Sequence, residues 1–206
     1  MTTTPLDLRA WFGAIDIYLF DQLLKGRITP AHSVLDAGCG DGRNIIYFLR
    51  AGNDVCAVDQ SAAAVAHVRA LAAQLAPQLP STNFRVEPVE RLSFTADSFD
   101  LVISSAVLHF ARDEAHWHAM LAELWRVLRP GGLFFARLAA TIGIESLVRP
   151  HGARRYTLPD GSERFLVDAE MLSDATRTLG GTWLEPLKTT VVQDQRAMTT
   201  WCLRKL

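Results

Sequence analysis

The chain has 206 residues, 49% of them hydrophobic and 21% charged, with a formal net charge of −1. That length suits one substantial core better than two independent domains, and the composition is that of a soluble globular protein. The near-neutral balance gives no electrostatic case for a nucleic-acid partner, and no apolar run is long enough to span a bilayer, so no membrane partner is expected.

The first residues, Met-Thr-Thr-Thr-Pro-Leu-Asp-Leu-Arg, lack the basic region and apolar core of a signal peptide, which makes a cytoplasmic location the default expectation. Between residues 6 and 25, Leu8, Trp11, Phe12, Ile15, Tyr18, Leu19 and Leu23 recur at helical spacing and predict a helix, ended by Gly26 and Pro30. Next comes Ser-Val-Leu-Asp-Ala-Gly-Cys-Gly-Asp-Gly-Arg-Asn, residues 33–44. Val34 and Leu35 read as a buried strand, residues 45–49 open a helical pattern, and Gly38, Gly40 and Gly42 lie between them with Asp36 and Asp41. Glycines there permit a tight strand-to-helix turn and let a ligand approach the backbone. A dinucleotide fingerprint needs a third glycine where Arg43 stands, and no G-x-x-x-x-G-K-[ST] phosphate loop occurs.

Residues 43–50 predict a helix and 54–58 a second strand, with Asp59 at its carboxyl end, 21 positions beyond Gly38. A carboxylate in that place can accept from both hydroxyls of a ribose. Ser61 is expected to cap an alanine-rich helix running to Leu75. Residues 83–86 predict a short third strand and 98–105 a buried fourth. The three cysteines, Cys39, Cys56 and Cys202, form no C-x-x-C pair, which suits a reducing compartment and argues against a zinc site. His116 and His118, two apart on a helix, face different directions, so no metal is expected there either. Residues 129–132 predict a turn into a fifth strand over 133–138. Residues 139–167 hold Gly143, Pro150, Gly152, Pro159 and Gly161 and cluster Arg149, His151, Arg154 and Arg155. That connection reads either as a solvated loop or as a lid over a polar or anionic substrate. Asp168 is expected to cap a helix to Leu179, and residues 182–192 and 198–203 suggest a terminal hairpin.

Residues 34–44, 55–61, 98–109 and 126–133, in that order, resemble the motifs of class I S-adenosylmethionine-dependent methyltransferases, with Asp59 as the acidic second motif. The resemblance covers roughly residues 33–138. It implies an α/β, Rossmann-like fold: a seven-stranded, mostly parallel sheet with helices on both faces and an antiparallel terminal hairpin, in one domain over 1–206. It also implies S-adenosylmethionine as cofactor and S-adenosylhomocysteine as product. The cofactor-binding residues would then be Tyr18, Asp36, Gly38, Gly40, Arg43, Asp59, Gln60, Val89, Glu90 and Ser105. Residues 1–30 would be a helical cover with Tyr18 as a wall. Asp36 would lie near the methionine ammonium or bond its own turn, and Arg43 would meet the methionine carboxylate or a surface acid.

The chain departs from the family at Pro88, where an adenine-binding Asp is usual. Glu90 or Glu87 is left to supply that carboxylate, with the Val89 N–H on a ring nitrogen. His109 is the titratable candidate for deprotonating an acceptor, with packing beside the cofactor as its alternative. The run from Gly42 to Ser61 resembles small methyltransferases of the tellurite-resistance and thiopurine type, which implies a small-molecule acceptor. His151, Arg154 and Arg155 are the candidate contacts for it. The competing reading is a non-catalytic cofactor- or partner-binding module on the same fold.

Overall fold

The structure, a computed structural model, describes residues 7–206. Five apolar runs form the strands β1 (Ser33–Ala37), β2 (Asp54–Asp59), β3 (Phe84–Val86), β4 (Phe99–Ser105) and β5 (Leu128–Ala140). Each pairs in parallel with its neighbours, in the order β5-β4-β1-β2-β3. Three short strands, β6 (Arg149–Gly152), β7 (Arg155–Thr157) and β8 (Glu163–Phe165), form a separate antiparallel sheet. The chain then returns as β9 (Gly181–Trp183), β10 (Lys188–Val192) and β11 (Arg196–Lys205). β11 inserts antiparallel beside β5, and β10 and β9 pair with successive stretches of its outer edge. Eight strands thus fill seven positions of a mostly parallel sheet, closed by an antiparallel hairpin.

The helices are α1 (Leu8–Phe12), α2 (Ile17–Leu24), α3 (Ile46–Ala51), α4 (Ala62–Leu75), α5 (Glu114–Val127) and α6 (Ala169–Thr178). Alternation along the strands sends successive side chains to opposite faces. Leu35, Val102, Phe134 and Trp201 enter the core shared with α5 and α6, while Val34, Ile103, Phe135 and Cys202 enter the core shared with α2, α3 and α4. Helices therefore cover both faces. Ser61 and Asp168 cap α4 and α6, each accepting from the backbone N–H three residues on, as their positions predict. Among the described residues no helix is long and apolar enough to cross a membrane.

Four local expectations are corrected. The helix predicted over 6–25 breaks at Gly13 (φ 60°), and Asp16 caps a new helix by accepting from the Tyr18 N–H; the part before residue 7 lies outside the described residues. The helix expected from 43 begins at Ile46, because residues 43–45 continue the turn. Residues 129–132 are a bulge within β5: Phe99 pairs with Leu128 but Leu101 with Leu133. The 139–167 connection is ordered into β6–β8, with its ends held together by a parallel bridge between Ala140 and Val167.

The α5–α6 core centres on Trp201, which is fully buried, lies 5.5 Å from Phe134 edge-on and donates from Nε1 to Thr176 Oγ1 at 3.0 Å. Trp201→Ala is expected to lower unfolding free energy by about 3–5 kcal/mol. Thr176→Val leaves the indole N–H without an acceptor and should cost about 1–3 kcal/mol. Urea denaturation of both variants checks the two values.

Candidate active site

Sheet order reverses between β1 and β4: the chain runs from β1 outward through β2 and β3, then crosses back to β4 on the other side. A crevice opens beyond the carboxyl ends of strands at such a point. Here it is a cavity of about 720 Å³, lined from the ends of β1 (Gly38, Gly40), β2 (Asp59, Gln60) and β4 (Ser105, Val107), and by Pro88, Val89 and Glu90 after β3. The Gly38 and Cys39 N–H groups both donate to the Val58 carbonyl, at 2.8 and 2.9 Å, folding the loop onto the end of β2. Gly38 has φ 80°, and a Cβ there would lie 2.5 Å from Val107 Cγ2. Gly40 has φ 52°, and a Cβ there would meet no protein atom within 4 Å, so the cavity wall is bare backbone.

Asp59 ties this loop down. Its Oδ2 accepts from the Gly40 N–H at 3.0 Å and its Oδ1 from the Ser61 N–H at 2.8 Å. Each oxygen keeps a second lone pair for a ligand. Asp36 lies beneath the loop, 1% exposed, with Oδ2 buried and without a partner. Burial pushes its pKa up to about 7, with Arg43 opposing and Asp59 and Asp41 reinforcing the rise.

Beyond β3, Glu87 turns away from the cavity and accepts from the Ser93 N–H and hydroxyl. Glu90 lines the cavity, 3.2 Å from His116 Nε2. Burial would raise the Glu90 pKa, but its own backbone N–H, His116 and Arg112 together hold it below the usual range. Between the two acids named from the sequence, the fold brings only Glu90 to the site. Phe110, Val107 and Met120 supply apolar wall.

A second cavity, about 320 Å³, adjoins the first, and Arg43 and Ala106 line both. Ala106 sits at this seam with φ 64°, a left-handed conformation that costs a non-glycine residue about 1 kcal/mol or more. Arg137, Arg164 and Arg196 line the second cavity together with His109, Asp160 and Ser162. Behind its wall Asp16, 2% exposed, accepts from Arg137 Nη1 at 2.9 Å and from Ser105 Oγ at 3.3 Å, with Arg43 Nη2 3.8 Å away. Sequence reasoning missed this network. Asp16 and Arg137 are 121 residues apart, and the available signal was a lone arginine in the apolar run of β5.

The structure relocates several predicted residues. Among the described residues, none of α1 or α2 lines either cavity, so these two helices do not form the expected cover; residues 1–6 of that segment lie outside the described residues. α1 packs on α3, where Phe12 stacks on Tyr47. Tyr18 bonds Thr190 Oγ1 at 2.6 Å and lies under the Arg137 guanidinium, because the Asp16 cap turns α2 toward the terminal strands. His151, Arg154 and Arg155 line neither cavity. Arg154 pairs with Glu114 and Asp168, Arg155 donates to the Ala111 carbonyl, and His151 bonds Thr157. From the 139–167 connection the fold brings in Leu158, Asp160, Ser162 and Arg164 instead. His109 faces the second cavity, and its Nδ1 accepts from the Ala139 N–H at 3.3 Å. Burial, reinforced by Arg164, lowers its pKa to about 4, so the ring is neutral with its proton on Nε2. It offers the cavity a donor, where a general base needs a free lone pair.

Burial drives Asp36 and His109 in opposite directions. Asp36 rises from 3.8 to about 7; between these values the folded state holds the extra proton and stability falls as pH rises. His109 drops from 6.5 to about 4; there the unfolded chain holds the extra proton and stability rises with pH. Over pH 5–6.5 the two slopes oppose each other. Stability of Asp36→Asn is expected to rise over that interval and stability of His109→Gln to fall, as measured by urea denaturation at its two ends. Slopes of the same sign in both variants would contradict the assignment.

Residues 34–132 match the family model of a methyltransferase domain. Malonyl-[acyl-carrier protein] O-methyltransferase of Salmonella typhimurium is 34% identical over 111 residues, 54% of this chain and 39% of that protein. Trans-aconitate 2-methyltransferase of Deinococcus radiodurans is 34% identical over 113 residues, with the same two shares. The chain spans between 39% and 48% of the length of the first curated relatives it matches. Among solved structures, a Burkholderia thailandensis 1,6-didemethyltoxoflavin-N1-methyltransferase, with bound 1,6-didemethyltoxoflavin and S-adenosylhomocysteine, superposes with a TM-score of 0.71 at 22% identity, covering 97% of this chain and 81% of that one. Motif order and sheet order agree with these likenesses: residues 34–132 are similar to methyltransferase domains, and the chain has the fold of the solved neighbour.

Proposed function

We propose that the larger cavity binds S-adenosylmethionine and that the chain transfers its methyl group to a small-molecule acceptor in the second cavity. The observation that carries this is the seam: a bare glycine wall with an aspartate at a strand end opens directly onto a separate, smaller pocket. The residues present fit the cofactor. The Asp59 oxygens have lone pairs left for ribose hydroxyls, Gly38 and Gly40 leave the backbone open, and the unpartnered Asp36 Oδ2 beneath the loop is left to accept from an ammonium, whose charge would favour the ionised carboxyl. Gln60, Val89, Glu90 and His116 flank the remaining wall for the adenine ring, and Arg43 and Ser105 stand at the seam.

The bound cofactor brings a methyl carbon already bonded to a good leaving group, so the protein's part is alignment and exclusion of water. Arg43 and Ala106 set the boundary across which the acceptor must meet the methyl, and the ordered 139–167 segment, as a lid, closes the second pocket with Leu158, Asp160, Ser162 and Arg164. A pocket of about 320 Å³ is at the small end of metabolite sites and suits a small acceptor. The curated relatives and the solved neighbour support this reading, since their names describe methyl transfer. The three free, buried cysteines fit a reducing, cytoplasmic setting.

Calorimetric titration tests the cofactor site. Asp59→Ala is expected to weaken S-adenosylmethionine binding by about 1.5–3 kcal/mol, the scale of charge-assisted hydrogen bonds, with the fold retained by circular dichroism. Unchanged affinity in the folded variant would remove the ribose role. Formation of S-adenosylhomocysteine across an acceptor panel separates an enzyme from a binding module.

A further inference from the structure

We infer that the acceptor is a small di- or tricarboxylate and that a carboxylate oxygen is the atom methylated. This rests on the methyltransferase reading above. Four arginines, Arg43, Arg137, Arg164 and Arg196, line the second cavity against one aspartate, Asp160. Asp16 behind the wall offsets one more charge through Arg137, which leaves the pocket cationic in a chain whose net charge is −1. Among the described residues, every ion pair formed by a lining arginine belongs to Arg43 or Arg137; Arg164 and Arg196 have no carboxylate within 4 Å. Arg164 is held in place over the Phe110 ring, 5.1 Å from its centroid, and Phe110 itself lines the larger cavity. Guanidinium forks in this state match carboxylates bidentately.

The seam offers no base. His109 spends its lone pair on Ala139. Asp160 accepts from the Ser162 hydroxyl and backbone N–H, which hold it below the usual carboxylate range. Asp16 is buried under Arg137 and Ser105. A phenol or alcohol would have to shed a proton here, whereas a carboxylate, with an ordinary pKa of about 4, is already ionised. Arg164 and Arg196 then hold one carboxylate while a second meets the seam. A lone pair of its oxygen forms the bond to the methyl carbon, the carbon–sulfur bond breaks, and its electron pair goes to sulfur. The carboxylate's negative charge and the sulfonium's positive charge are both neutralised, and no proton is released. The product is a methyl ester.

Calorimetry of succinate and tricarballylate into the S-adenosylhomocysteine complex tests the pocket, with dimethyl succinate as the uncharged control. At least one acid is expected to bind the wild type and to bind Arg164→Gln/Arg196→Gln about tenfold or more weakly, while cofactor affinity is unchanged. Turnover with S-adenosylmethionine should yield a base-labile ester of that acid. The inference is overturned if neither acid binds the wild type, if the double variant binds them equally well, or if methyl appears on catechol or an amine but on no acid. Failure to bind S-adenosylmethionine, titrated separately, would remove the methyltransferase reading itself.

Discussion

The site depends on one small arrangement at the end of β2. The Val58 carbonyl receives the N–H groups of Gly38 and Cys39, and the next residue, Asp59, receives that of Gly40. These bonds fold the β1 loop onto its parallel neighbour. The loop can lie there only if Gly38 has no side chain, since Val107 from the end of β4 fills the space a Cβ would need. Three strand ends are thus locked together by two backbone bonds, one bond to the Asp59 carboxylate and one van der Waals contact. The cavity is what remains beyond them.

A second constraint links the N-terminal segment to the seam. Asp16 caps α2, takes its backbone position from Asn44 and accepts from Arg137 and Ser105. Ser105 in turn accepts from Arg43 Nη2 at 3.0 Å. Removing one member of a buried charge pair leaves the other unpaired in a low-dielectric setting, a loss of about 3–5 kcal/mol. The network therefore orients Arg43 and Arg137 at the point where the two cavities meet. The N-terminal segment serves the site from behind its wall.

The two cavities differ in how general they are. The larger one is built from strand ends and turns of the parallel sheet, the parts that the methyltransferase resemblance covers. The smaller one draws on β5, on the ordered excursion between β5 and α6, and on the terminal hairpin through Val192, Arg196 and Met198. These last segments lie outside residues 34–132, the stretch that matches the family model. On the proposed reading, much of the acceptor pocket is built from segments outside the stretch that matches the family model.

Sequence alone determined the parallel core, the capped helices at Ser61 and Asp168, the glycine loop and the place of Asp59. Each is a local matter: a run of apolar residues between turn signals, a side-chain oxygen within reach of an N–H three residues on, a carboxylate at a strand end. Tertiary structure decided which charged residues face the smaller cavity. Arg154 and Arg155 sit in the basic cluster that the sequence displays, yet Arg154 neutralises Glu114 and Asp168 and Arg155 turns to Ala111. Arg137, Arg164 and Arg196 are scattered along the chain, and strand pairing gathers them around one pocket. His109 titrates near neutrality by type, and only its burial and the Ala139 N–H make it a neutral donor. A side chain's partners are set by long-range pairing, and its protonation by the dielectric those partners create; neither is encoded in local spacing.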